Sequence, residues 1–81
     1  MNFYPAIDLK EGQCVRLQQG DLDTAIVYND DPVAQAMIFQ EAGCHWLHLV
    51  DLDGAVSGSK ENVKTIEEIR RSTSLKIQVG G

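Results

Sequence analysis

No apolar run approaches the ~20 residues of a membrane span, and the N-terminus has neither the basic start nor the apolar block of a secretory signal. A cytoplasmic protein without membrane contact is therefore expected. Basic residues are scarce: seven Lys and Arg stand against twelve Asp and Glu, for a formal net charge of -5. Apart from Arg70-Arg71 they are scattered, so no basic stripe tracks a phosphate backbone, and nucleic acid is not an expected partner. Only two cysteines occur, Cys14 and Cys44, with no CxxC spacing, and they read as reduced structural thiols rather than a disulfide. The signature of disorder is missing as well, because 43% hydrophobic and 23% charged residues are ordinary for a globular chain. At 81 residues there is room for one small domain, which buries roughly 60% of the surface its unfolded chain exposes.

What is present begins with Asn2 to Leu9, a mostly apolar run whose first charge, Asp8, comes near its end. It reads as a buried strand delivering one carboxylate, with Pro5 tolerable near a strand start. The pattern Ile7-Asp8-Leu9 returns as Val50-Asp51-Leu52, and a third run, Leu75 to Val79, ends in Gly80-Gly81. Between the first two strands, Lys10-Glu11-Gly12 reads as a turn, Gln13 to Gln18 as a two-faced strand, and Thr24 to Tyr28 as its hairpin partner. Asp31-Pro32 opens a helix expected to reach Ala42, since an Asp N-cap accepts from exposed N–H groups and Pro at the first position has no N–H to waste. Its apolar residues go most of the way around the axis, so it calls for neighbours on more than one side. Cys44 to Asp51 is unbroken bulk, expected to be buried on both faces, with Trp46 and Phe39 in the core. A second helix, capped by Asn62, is expected to run to Ser72, with Val63, Ile66 and Ile69 on one face and Glu67 four residues before Arg71.

The order strand, hairpin, helix, strand, helix, strand implies an α/β fold with three parallel, adjacent main strands joined by right-handed crossovers. The last strand has no helix after it, which leaves an open edge and an uncovered face. The chain is therefore expected to be the first third of a larger α/β protein.

In a parallel α/β sheet, ligands bind beyond the carboxyl ends of the strands, so Asp8 is placed to act as a general base. The plainer reading is a helix cap or a loop anchor. Asp51 occupies the equivalent place on the second strand, and in a regular strand His48, three residues earlier, points to the opposite face, so only one of them faces a site there unless a bulge intervenes. Asp8, His48 and Asp51 have no compact ligand spacing, and no metal is expected. Gly80-Gly81 could let backbone N–H groups approach a phosphate, or could be a plain turn. Arg16 could reach an anionic substrate, or could be a solvated surface arginine.

The ordered segments Pro5-Ala6-Ile7-Asp8-Leu9-Lys10-Glu11-Gly12, Cys14-Val15-Arg16-Leu17, Gln19-Gly20-Asp21, Asp31-Pro32, Glu41-Ala42-Gly43, Leu47 to Ala55 and Gln78-Val79-Gly80-Gly81 resemble the N-terminal third of the phosphoribosylformimino-aminoimidazole-carboxamide ribotide isomerases of histidine biosynthesis. The resemblance implies a TIM (β/α)8 barrel, of which this chain would supply three parallel strands, two helices and a hairpin loop, as the N-terminal part of one domain. It implies an Amadori rearrangement of a bis-phosphorylated aminoaldose to an aminoketose, without metal or organic cofactor. Asp8 would be the base, the acid would lie beyond Gly81, Arg16 and His48 would contact substrate, and Gly80-Gly81 would begin a phosphate loop. Asp51, repeating the Asp8 position, joins the candidate substrate-binding set. The related cyclase subunit of imidazole glycerol phosphate synthase typically has Cys-Leu-Asp on its first strand and a lysine in the first loop, so Ala6-Ile7-Asp8 and Arg16 favour the isomerase. A version that also isomerises phosphoribosylanthranilate shares these motifs. The whole protein would be a monomer, and the 81 residues alone an incomplete enzyme. The contrasting expectation is a self-associating barrel fragment or phosphate-binding module without catalysis.

Overall fold

The computed structural model describes residues 4–53 and 61–80. Five strands and two helices follow in the order β1 (Ala6–Lys10), β2 (Gln13–Gln18), β3 (Asp21–Asn29), α1 (Pro32–Glu41), β4 (Trp46–Asp51), α2 (Glu61–Ser72) and β5 (Lys76–Gly80). All five strands form one sheet in the order β3-β2-β1-β4-β5. β1, β4 and β5 run parallel, as the crossovers require, while β2 and β3 are antiparallel additions at the β1 edge. The hairpin is thus part of the main sheet, which is mixed, rather than a loop set apart from it.

Local chemistry explains the hairpin turns. Lys10 pairs with Gln13 across Glu11-Gly12, with φ of 54° and 75° at the two turn residues, and Gln18 pairs with Asp21 across Gln19-Gly20, at 53° and 75°. Two consecutive left-handed residues are the type I′ geometry that matches the twist of a hairpin, and glycine takes the second place without steric cost.

α1 begins where Asp31 accepts a hydrogen bond from the Ala34 amide at 3.1 Å and Pro32 supplies the first turn. Both helices lie on one side of the sheet. Ile7, Leu9, Leu47 and Leu49 point to them and join Cys14, Ala36, Cys44, Ile66, Ile69 and Leu75 in a single core, with Phe39 packed against it. Alternation along β1 and β4 leaves Ala6, Asp8, Trp46 and His48 on the other face, against which neither described helix packs its core side. Two expectations change here. β4 is buried on one face only, and Trp46, 36% exposed, lies outside the core, with its ring edge-to-face with Tyr4 and under the Lys76 ammonium. Sequence hydrophobicity cannot tell a face covered by helices from one left for other partners. Among the described residues no helix is long and apolar enough to cross a membrane. Both cysteines are free and buried.

Candidate active site

Asp8, the third of the five residues of β1, stands half-buried, paired with Val50 of β4 on one side and Val15 of β2 on the other. It opens on a cleft of about 370 Å³ lined by Ala6, Asp8, Val15, Arg16, Tyr28, Gln35 and Phe39. The sheet supplies the carboxylate, the hairpin supplies Arg16 and Tyr28, and α1 closes the side with Gln35 and Phe39. The structure therefore brings together Asp8 and Arg16, residues singled out by sequence, with Tyr28, which was read only as a hairpin residue.

Arg16 is exposed, and its guanidinium carbon lies 5.0 Å from the centroid of the Tyr28 ring. Cys14, next to it in the hairpin, is buried. That burial, with a smaller contribution from the charge of Asp31, outweighs a hydrogen bond from Tyr28 and pushes the thiol up to about 11. The thiol is a packing group at neutral pH, since the thiolate is the reactive form. Burial also raises the Tyr28 phenol, aided by Cys14 and Asp8 and opposed by Arg16. Tyr28 is therefore neutral in the working range, a donor within electrostatic reach of both Asp8 and Arg16.

His48 and Asp51 lie on opposite faces of β4. His48 pairs in register with Ala6 and Gln78, so it shares the face opposite the helix-packed core with Asp8. A Cβ at Gly80 would come within 3.2 Å of His48 Nε2, and glycine is what lets the imidazole lie over the end of β5. Gly81 lies outside the described residues.

Asp51 is turned to the helix side, where its Oδ1 accepts from Asn62 Nδ2 at 2.7 Å. The same amide nitrogen donates to Asp53 Oδ2 at 2.9 Å and lies 3.4 Å from the Leu9 carbonyl, while Asn62 Oδ1 accepts from the Gly12 amide at 2.8 Å. Asp53 also accepts from the Glu11 amide at 2.5 Å. Asn62, expected as a helix cap, is instead a fully buried hub inside the first turn of α2. It ties the turn after β1 to the end of β4. Its role was hidden in the sequence because the partners lie up to 53 positions away. Among the described residues no cluster of three or more His, Cys, Asp or Glu side chains is arranged to hold a metal ion.

The parallel strands β1, β4 and β5, with the helices packed on one face of the sheet, define an α/β protein, and in that class ligands bind beyond the carboxyl ends of the strands. Residues 2–81 match the family model described as histidine biosynthesis protein, and the chain belongs to that family. It is 58% identical to a protein of Dinoroseobacter shibae over 81 residues, all of this chain and 34% of that relative. A Ruegeria protein is 56% identical and a Brucella anthropi protein 54% identical, again over the whole chain, which covers 34% and 33% of them. The first and third of these relatives carry the name 1-(5-phosphoribosyl)-5-((5-phosphoribosylamino)methylideneamino)imidazole-4-carboxamide isomerase, and the Ruegeria protein the same name with the suffix 2. The chain spans about a third of the length of the curated relatives it matches.

Proposed function

We propose that this chain forms the first third of an isomerase that converts a phosphoribosylamine to a phosphoribulosylamine, with Asp8 as the general base. The observation that carries this is the position of Asp8: half-buried in the middle of β1, on the face opposite the helix-packed core and beside a cleft that also holds Arg16. The names of the relatives support the reaction class, and support the isomerase over the cyclase subunit.

In such a rearrangement the opened aminoaldose carries a protonated imine at C1. Asp8 accepts the C2 proton, the C–H electron pair becomes the C1–C2 double bond, and the imine electrons return to nitrogen. Transfer of the enol proton and protonation at C1 then give the C2 ketone, so the step needs proton transfers alone. An acid from outside these residues opens the ring. Arg16 offers planar, charge-assisted donors to an anionic part of the substrate, and His48 lines the same face. Gly80, with Gly81 after it, begins the phosphate site. The rows Ala6, His48, Gln78 and Asp8, Val50, Gly80 share the face opposite the helix-packed core. They would point inward if further strands closed the sheet into a (β/α)8 barrel. Asp51 has its carboxylate on the helix side, and in this reading it supports the site through Asn62 rather than touching substrate.

The test is a graft in which this chain replaces the matching first third of the Dinoroseobacter relative. The graft should isomerise the aminoaldose, and Asp8→Asn should lower kcat by about 10²- to 10⁴-fold, the usual contribution of a positioned base. A folded graft that turns over equally well with Asn at that position would overturn the proposal.

A further inference from the structure

We propose that Tyr28 is a positioning residue of this site, whose ring holds the Arg16 guanidinium at the Asp8 cleft. The inference rests on the reading of Arg16 as a substrate contact and extends it to the residue that fixes Arg16 in place.

Three observations carry it. The first is register: Cys14 pairs with Asn29, but the next residue of β2, Val15, pairs with Val27. One step along β2 thus spans two along β3, and Tyr28 is the extra residue of a β-bulge. Bulges bend a strand and re-aim a side chain, and they are over-represented beside active sites. The second is the ring contact. The guanidinium carbon of Arg16 stands 5.0 Å from the Tyr28 centroid, within the range in which the quadrupole of a ring attracts a cation. Among the described residues the ion pair present is Lys10 with Glu11, and no carboxylate is paired with Arg16. A guanidinium held by a π face keeps its five N–H donors for another ligand, whereas one held by a carboxylate spends two of them. The third is the shared setting: Tyr28 and Arg16 both line the cleft on which Asp8 opens.

An interaction that orders a binding group before and during the reaction alike changes KM more than kcat. In the full-length graft, Tyr28→Leu should raise KM about fivefold to tenfold, as expected for loss of a partly exposed cation–π contact, with kcat changed less than about twofold. Tyr28→Phe, which keeps the ring and loses only the hydroxyl, should recover most of that rise. In an Arg16→Ala background, Tyr28→Leu should add nothing, because its effect runs through Arg16. A readout independent of turnover is the upfield ring-current shift of the Arg16 Nε–H proton, present in the parent and in Tyr28→Phe and lost in Tyr28→Leu. Additive KM effects in the double variant, or an Arg16 Nε–H shift indifferent to the ring, would overturn the positioning role while leaving Asp8 chemistry standing. An Arg16→Ala protein with unchanged KM would overturn the role by removing Arg16 from binding. Undiminished activity in Asp8→Asn would instead sink the reading of the reaction, and the ring-current result would still stand or fall by itself.

Discussion

Replacing Asn62 with leucine keeps the branching of the side chain, though leucine is bulkier, and removes every polar contact of a side chain that has no exposed surface. The part-buried Gly12 amide loses its acceptor at 2.8 Å, and leaving a buried donor unsatisfied costs about 1–3 kcal/mol, less where water reaches it. The bonds to Asp51 and Asp53, at 2.7 and 2.9 Å, are charge-assisted and worth about 1.5–3 kcal/mol each in a buried setting. Both carboxylates are only half-buried and have other interactions, so water and those neighbours recover part of that loss. Because the bonds share one amide and do not add, a net cost of about 3 kcal/mol is expected. In a protein of barrel size that lowers the melting temperature by roughly 6–12 °C. Thermal unfolding of the full-length graft reads the cost, and amide exchange at Gly12 localises it: the Gly12 N–H should exchange faster in Asn62→Leu while core amides of β4 keep their order of protection. A cost below about 1 kcal/mol, or unchanged protection at Gly12, would refute the idea that Asn62 fastens the turn after β1.

Cys14 gives a prediction for pH. Its folded thiol is held near 11 against an ordinary 9.0, so above pH 9 the unfolded chain releases a proton that the folded chain keeps. Its contribution is complete below pH 9 and is lost as pH rises toward 11, by up to about 3 kcal/mol, and urea midpoints should show that decline in the parent but less of it in Cys14→Ala. Gly80→Ala puts a methyl group 3.2 Å from His48 Nε2, so the imidazole must shift; the histidine ring resonances should move, and unchanged resonances would contradict the close approach. Asp31→Ala removes the cap that accepts from Ala34 and should cost about 1 kcal/mol in urea unfolding, whereas Asp31→Asn should cost less.

What the sequence made legible was local. The Asp31-Pro32 helix start, the Glu11-Gly12 turn and the parallel strands follow from the sequence pattern, and the structure has each. The opposition of His48 and Asp51 followed from the two-residue period of a strand. What stayed hidden depended on distance or on a register change. Asn62 looks like any cap residue until Gly12, Asp51 and Asp53 converge on it. Trp46 looks like core because bulk alone does not say which sheet face is covered. Tyr28 sits in a β-branched and aromatic stretch that predicts a strand, but a bulge of one residue leaves no mark in that composition.

The central claim, that Asp8 takes the proton from C2, is tested most directly with an aminoaldose deuterated at C2 of the reacting ribose. Followed by NMR in ordinary water, the full-length graft should form ketose with the deuterium gone from C2, more slowly than from unlabelled substrate under single-turnover conditions. Asp8→Asn, folded and still binding, should leave the labelled aldose intact over the same period. Loss of deuterium at the parent rate in Asp8→Asn would contradict the account, because some other group would then be the base.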